Sequence, residues 1–209
     1  MNEYKFGDGL HIELTSRCRL SCPNCERTRF KGEYKIRDLH LELVFRLVAN
    51  PKFKKIMLSG TLGDPIYYPH FPEVVKKIKQ SGKELRIATN GSGKKLEWWE
   101  EIFNLLDSRD TVCFGLDGLQ DTAHLYRVNT SFIEVFEAMK LGAAINRAVI
   151  EWQFIPFNFN QHQIEEAKQL AKEYGIKFAI IKSGRFRPDD PLLPDIEWLP
   201  EPLKQKMMN

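Results

Sequence analysis

The sequence predicts an α/β fold in which parallel strands alternate with helices. Six apolar, strand-like segments are separated by segments of helical periodicity, at a spacing of about 30 residues, the size of one strand–helix–strand unit. Such regular alternation favours parallel strands that are joined by right-handed helical crossovers. Six strands are too few for a closed eight-stranded barrel.

The individual elements follow from residue patterns and from the residues that end them. Strands are predicted over residues 10–15, 55–59, 85–89, 111–116, 149–157 and 178–181. Helices are predicted over residues 38–49, 71–80, 96–106, 132–145 and 161–174. Pro51, Gly82 and Gly175 follow the first, second and last of these helices and supply stop signals.

Length and charge describe an ordinary, weakly basic chain. The 209 residues suffice for one domain, or one domain with a tail, and can bury roughly 70% of the unfolded surface without disulfides. The 31 basic and 28 acidic residues leave a formal charge of +3, too weak to indicate a nucleic-acid partner. No apolar run approaches about 20 residues and the N-terminus lacks a signal-peptide core, so we expect a cytoplasmic protein without membrane contact.

Three of the four cysteines stand close together in a loop predicted over residues 16–34, as Cys18, Cys22 and Cys25 in the spacing C-x-x-x-C-x-x-C. In a reducing compartment, clustered cysteines indicate metal or redox chemistry rather than disulfides. A mononuclear zinc site would need a fourth ligand, and Cys113 lies far downstream in a predicted strand. A [4Fe–4S] cluster held by three thiolates would leave one iron open to another molecule. A zinc knuckle, a disulfide pair and buried thiols are the alternatives.

The chain resembles the radical S-adenosylmethionine (radical SAM) enzymes, whose signature is this cysteine spacing just after the first strand. The resemblance implies that the three cysteines hold a [4Fe–4S] cluster, and that S-adenosylmethionine (SAM) chelates the open iron through its amino and carboxylate groups. It further implies reductive cleavage of SAM to a 5′-deoxyadenosyl radical, with a reductant such as flavodoxin or ferredoxin as partner. By the same resemblance, the fold is a partial (β/α)6 barrel, TIM-like and open on one side.

Ligands of parallel α/β folds bind where the strands end, so the residue after each strand is a candidate contact. The segment Gly60-Thr61-Leu62-Gly63-Asp64-Pro65 resembles the family's Gly-Gly-x-Gly-Glu-Pro motif, which holds the amino group of SAM. Thr61 replaces the second glycine and Asp64 the glutamate, and both changes preserve hydrogen-bonding capacity. The resemblance makes Gly60, Thr61 and Asp64 SAM contacts, although the same residues also suit a simple turn.

The next three strands each carry a polar candidate at or near their end. Asn90 belongs to a Thr-Asn-Gly element that resembles the family's lining of the SAM pocket. Asp117 and Arg127 resemble the family's Asp-Gly element and the His-x-x-Arg after it, which implies that Asp117 meets the ribose of SAM. Arg127 would then meet the SAM carboxylate, or alternatively form a surface ion pair. Gln153 is a candidate ribose or methionyl contact, or an edge residue facing water.

Two stretches depart from the family pattern or compete with it. Many relatives carry an aromatic residue before the third cysteine, where it packs on adenine. Asn24 occupies this position here, which leaves adenine to backbone and apolar groups such as Ile180 and Ile181. Residues 88–95 approach a phosphate-binding loop, but Ala88 replaces its first glycine and Lys95 its final Ser or Thr. A nucleotide hydrolase is therefore disfavoured.

The composition changes after Lys182, where prolines become frequent. We assign residues 1–183 to a radical SAM core domain and residues 184–209 to a proline-rich C-terminal tail without a predicted helix. We expect this tail to wrap the barrel or to lead into a truncated extension.

The substrate implied by the resemblance is a peptide or a small metabolite, and no residue is predicted to act on it directly. A glycyl-radical-enzyme activating enzyme is the alternative within the class. A non-catalytic zinc- or cluster-binding scaffold is the alternative of another class.

Overall fold

The computed structural model describes residues 6–29 and 35–208, so residues 30–34 of the predicted cysteine loop, and residues 1–5 and 209, lie outside the described residues. Within them, six strands form one parallel sheet in chain order. They are β1 (Gly9–Ile12), β2 (Lys55–Leu58), β3 (Glu84–Thr89), β4 (Thr111–Gly115), β5 (Val149–Phe154) and β6 (Lys177–Ile180). Each strand pairs with its sequence neighbours, and β1 and β6 form the two edges. The predicted parallel α/β fold, an open partial barrel, is confirmed.

Helices follow the strands along the described chain. They are α1 (Glu26–Arg29), α2 (Leu41–Ala49), α3 (Phe71–Gln80), α4 (Leu96–Leu105), α5 (Ala123–Tyr126), α6 (Phe132–Ile145), α7 (Ile164–Glu173) and α8 (Glu201–Met208). Local chemistry fixes the ends of α6. The hydroxyl of Ser131 accepts a hydrogen bond from the backbone N–H of Glu134 and caps α6, which ends at Asn146 in the left-handed conformation (φ 53°).

The strands turn apolar side chains toward the helices and many polar or small ones toward the opposite face. Leu58, Ile87 and Val112 are fully buried in one core cluster that includes residues of α2, α3, α4, α6 and α7. Because side chains alternate along a strand, Arg86 and Ala88 lie on the other face. This second face is the interior of the open barrel, and its strands end at the site described below.

The first strand and first long helix are shorter than the sequence predicts. The strand predicted over residues 10–15 ends at Ile12, and the helix predicted from residue 38 begins at Leu41. Thr15 and Asp38 instead form an isolated antiparallel bridge, in which the Thr15 hydroxyl donates to the Asp38 carboxylate over 2.5 Å. Such side-chain hydrogen bonds compete with regular secondary structure, which explains why the strand ends early and the helix begins late.

The C-terminal segment folds back onto the core, and the expectation that it lacks a helix is wrong. A 3₁₀ turn (Ile196–Trp198) is followed by α8. Phe186, Leu199 and Leu203 of this segment are buried in a second apolar cluster with Tyr126 and Phe157. Pro202 is the second residue of α8, in the first turn, where its missing N–H would have no partner within the helix, so it does not prevent the helix.

Replacing Leu199 with Ala tests the packing of the C-terminal segment. Leu199 is 0% exposed, so the variant should lose about 3 kcal/mol of unfolding free energy in urea denaturation, as expected for truncation of a buried leucine. Ile196, three residues earlier, is 50% exposed and provides the matched control. The Ile196→Ala variant should change stability by about 0.5 kcal/mol or less. Equal losses in the two variants would contradict the buried position of Leu199.

Candidate functional site

A cavity of about 430 Å³ lies at the carboxyl ends of the strands, and we call it the strand-end cavity. Its wall contains every site residue predicted from the sequence except Asp117. These residues are Cys18, Cys22, Cys25, Gly60, Thr61, Asp64, Asn90, Arg127 and Gln153. Residues scattered over the sequence are therefore brought to one place, as expected for the strand ends of a parallel sheet.

The three loop cysteines line one part of this cavity as free, half-buried thiols. Their loop is held locally, since the backbone N–H of Cys25 donates to the carbonyl of Cys22 over 3.1 Å and Arg27 Nη1 donates to the carbonyl of Cys18 over 2.5 Å. Burial raises the pKa of Cys18 to about 11, and the nearby Asp64 carboxylate adds to this increase. Burial also raises the pKa of Cys22. Without a metal, both groups therefore stay protonated at neutral pH.

The donor set fits an iron–sulfur cluster by its chemistry. Three thiols on one short loop supply the soft ligands that iron–sulfur clusters take. In the described part of the chain, no group of three Cys, His, Asp or Glu side chains is arranged to hold a single metal ion.

The glycine-rich turn at residues 60–65 is packed directly on the start of the cysteine loop. A side chain on Gly63 would collide with the backbone carbonyl of Thr15, so the two backbones are in contact. The backbone N–H of Asp64 donates to the carbonyl of Arg17 over 2.8 Å. Because Arg17 precedes Cys18, the turn fixes the position of the first cysteine.

The side chain of Asp64 is buried and joins the ends of β2 and β3. One carboxylate oxygen accepts from Ile66 N–H and from the Thr89 hydroxyl, over 3.2 and 2.8 Å. The other accepts from the backbone N–H of Asn90 over 2.6 Å and from the Asn90 side-chain amide. The same amide lies 3.6 Å from the sulfur of Cys18. Both oxygens thus serve protein donors, although Asp64 is the residue that the resemblance assigns to the SAM amino group.

Thr61 is held by a residue that is not among those predicted from the sequence. Its backbone N–H and its hydroxyl donate to the two carboxylate oxygens of Glu13, over 2.8 and 2.7 Å. The threonine at the family's second glycine position therefore supplies a hydroxyl that anchors the turn to the end of β1. Glu13 follows β1 directly, and its place at a strand end is the signal that would have identified it.

Arg127 and Asp117 form a buried ion pair beside the cavity. Arg127 Nε donates to an Asp117 carboxylate oxygen over 2.7 Å, and the other oxygen accepts from the backbone N–H of Ile155 over 2.8 Å. Asp117 is 0% exposed and is not among the residues that line the cavity. Burial lowers the pKa of Arg127, but the Asp117 charge outweighs this and raises it, so the guanidinium stays charged.

The guanidinium of Arg127, a residue of the cavity wall, has two nitrogens besides Nε. It packs over Gly115, where a side chain would approach Arg127 Nη2 to 2.6 Å. Among the described residues, neither Nη atom has a hydrogen-bond acceptor. Two parallel N–H donors of this kind suit a carboxylate ligand.

The segment after β6 completes the wall with Ile181, Lys182 and Arg185, and only Ile181 was expected near a ligand. Ile180, the other predicted adenine neighbour, packs against the main core. Asn24, which stands at the position of the family's aromatic residue, donates from Nδ2 to the carboxylate of Asp190 over 2.7 Å. The cysteine loop is thereby connected to the C-terminal segment.

The family model described as the Radical SAM superfamily matches residues 12–181. The chain therefore belongs to this superfamily of enzymes, and the resemblance predicted from the cysteine spacing is confirmed. In the described part of the chain, every helix is too short or too polar to span a bilayer.

Two curated relatives have names that describe different functions. It is 33% identical over 114 residues to the tungsten-containing aldehyde ferredoxin oxidoreductase cofactor-modifying protein of Pyrococcus furiosus, covering 53% of this chain and 31% of that protein. It is 26% identical over 184 residues to the probable GTP 3′,8-cyclase of Methanothermobacter marburgensis, covering 83% of this chain and 56% of that protein. The chain thus spans less than two thirds of the length of these relatives.

Solved structures share the fold at low sequence identity. SuiB of Streptococcus suis, bound to S-adenosylmethionine, superposes with a TM-score of 0.67 at 16% identity, over 84% of this chain and 40% of SuiB. The protein anSMEcpe, with bound AdoMet and Kp18Cys peptide, superposes with a TM-score of 0.70 at 14% identity, over 91% of this chain and 56% of anSMEcpe. Both structures support the open-barrel architecture.

Replacing Gly63 with Ala tests the contact between the glycine-rich turn and the cysteine loop. The added methyl group would overlap the Thr15 backbone, so we expect the unfolding free energy to fall by about 1–3 kcal/mol in urea denaturation. Gly7 has no atom within 4 Å of the position of an added methyl group, and Gly7→Ala is the matched control. A Gly63→Ala variant as stable as the control would contradict the close backbone approach.

Proposed function

We propose that this chain is a radical SAM enzyme that binds a [4Fe–4S] cluster through Cys18, Cys22 and Cys25 and binds SAM in the strand-end cavity. The observation that carries the proposal is that these three cysteines and Arg127 line one cavity in a member of the superfamily. The reduced cluster would supply the electron that cleaves SAM to methionine and a 5′-deoxyadenosyl radical, which abstracts hydrogen from the substrate.

The residues of this chain would bind and orient the cofactor. Arg127 would bind the SAM carboxylate through its two Nη donors, while Asp117 holds the guanidinium from behind. The backbone of residues 60–63 is the part of the turn that remains open to the amino group, because the oxygens of Asp64 accept from neighbouring protein groups. Asn90 lies beside Cys18, and we assign it to the boundary between the cluster and SAM.

The substrate is proposed to be a peptide or a small metabolite. SuiB has been solved with its precursor peptide SuiA and anSMEcpe with a Kp18Cys peptide, which supports a peptide. The likeness to a probable GTP 3′,8-cyclase supports a small metabolite instead. A flavodoxin or ferredoxin is the proposed electron donor, and a cytoplasmic location suits such an oxygen-sensitive centre. Activation of a glycyl-radical enzyme is the alternative reaction, for which no contact described here argues specifically.

Production of 5′-deoxyadenosine is the direct test of the proposed function. Protein reconstituted anaerobically with iron and sulfide, then given dithionite and SAM, should form 5′-deoxyadenosine that is detected by chromatography. The Cys22→Ala variant should form none above background, because it removes one of three cluster ligands. A colourless protein that retains zinc and forms no 5′-deoxyadenosine would contradict the proposal and favour the zinc-binding scaffold.

Replacing Arg127 with Gln tests the proposed carboxylate contact. Loss of a charge-assisted pair of hydrogen bonds should weaken SAM binding about 10- to 100-fold, measured by anaerobic calorimetry on cluster-loaded protein without reductant. Arg17, whose exposed guanidinium pairs with Asp38 at 3.0 Å near the cysteine loop, provides the control. The Arg17→Gln variant should bind SAM like the wild type. Unchanged SAM affinity in Arg127→Gln would rule out this contact.

A further inference from the structure

A buried carboxylate lies in the barrel interior directly below the strand-end cavity. Glu151 on β5 is 4% exposed, and one of its oxygens accepts from Arg86 Nη2 over 2.7 Å and from Gln153 Nε2 over 2.9 Å. The other oxygen lies 2.8 Å from Lys177 Nζ. Burial would raise the pKa of Glu151, but hydrogen bonds from Lys177 and Gln153 and the charge of Arg86 outweigh it and lower the pKa to about 2. Glu151 is therefore ionised at neutral pH.

This charge determines which way the Gln153 amide faces. An ionised carboxylate accepts hydrogen bonds and cannot donate one, so the NH2 group of Gln153 must be the end that meets Glu151. The carbonyl oxygen of the same planar amide is then directed away from Glu151. Gln153 lines the strand-end cavity, and among the described residues its Oε1 atom has no hydrogen-bond partner. The cavity thus receives a hydrogen-bond acceptor in a fixed orientation.

We infer that Glu151 is a positioning residue that holds the Gln153 carbonyl oxygen toward SAM, where it accepts a hydrogen bond from a ribose hydroxyl. This inference rests on the proposed function. Gln153 pairs in register with Gly115, over which the Arg127 guanidinium packs. Next to that cation, a neutral hydroxyl is a better donor than the charged amino group of SAM. The inference also supplies a ribose contact from the cavity wall, whereas the family resemblance implies one from Asp117, which does not line the cavity.

The test compares binding of SAM with binding of its 2′-deoxy and 3′-deoxy analogues, by anaerobic calorimetry on cluster-loaded protein without reductant. Wild-type protein should bind SAM about tenfold more tightly than one of the analogues, the size expected for one hydrogen bond. In Glu151→Gln, the neutral amide no longer dictates the orientation of Gln153, so this preference should disappear. Gln153→Met removes the acceptor and keeps Glu151 with its two cations, and it should lose the preference as well.

Two further variants distinguish a loss of the Gln153 orientation from a general disruption of the binding site. The double variant Glu151→Gln, Gln153→Glu has the same net charge as the wild type. It places an acceptor-only carboxylate at the cavity wall, so the preference for SAM over the deoxy analogue should return. Lys177→Gln removes a partner of the other Glu151 oxygen and should leave the preference intact. The inference would be overturned if Glu151→Gln or Gln153→Met kept the full preference for SAM over the analogue. It would also be overturned if the wild type bound all three ligands equally. Either result would leave the proposed function standing. Failure of the wild type to bind SAM at all would overturn both.

Discussion

The site depends most on one buried carboxylate, that of Asp64. Its four hydrogen bonds connect the end of β2 to the end of β3, while its backbone N–H holds the residue before Cys18. A buried group with this many partners is costly to disturb, because each released donor would be left without an acceptor. The glycine-rich turn, the Asn90 amide and the first cysteine are consequently held next to one another. The family's glutamate position here serves as an internal support of the site.

The charges around the cavity are balanced in the absence of a metal. Burial keeps the Cys18 and Cys22 thiols protonated, so the metal-free loop does not gather three negative charges in a half-buried place. Arg127 keeps its charge because Asp117 lies against it. Ligation of iron by these cysteines would release the thiol protons, so loading of the proposed cluster would be coupled to proton release.

Much of the fold, and several of the residues that line the cavity, could be predicted because both depend on local sequence patterns. The alternation of strands and helices predicted the parallel sheet. The rule that ligands bind at strand ends predicted the shared location of all but one of the candidate site residues. The partners of those residues were not predictable, because they depend on contacts between distant parts of the chain. Thr15 meets Asp38 across 23 residues and shortens two elements. Motif resemblance likewise identified Asp117, but not that Arg127 and a backbone N–H would occupy both of its oxygens.

The bond between Asn24 and Asp190 joins residues that are 166 positions apart in the sequence. During synthesis, the cysteine loop leaves the ribosome long before its distant partner does. The nascent chain therefore exposes three thiols at a stage when neither the C-terminal segment nor the later strands can shield them. A cluster held by these thiols would reach its final surroundings only after the C-terminal segment has been made, and until then the exposed thiols would be open to oxidation.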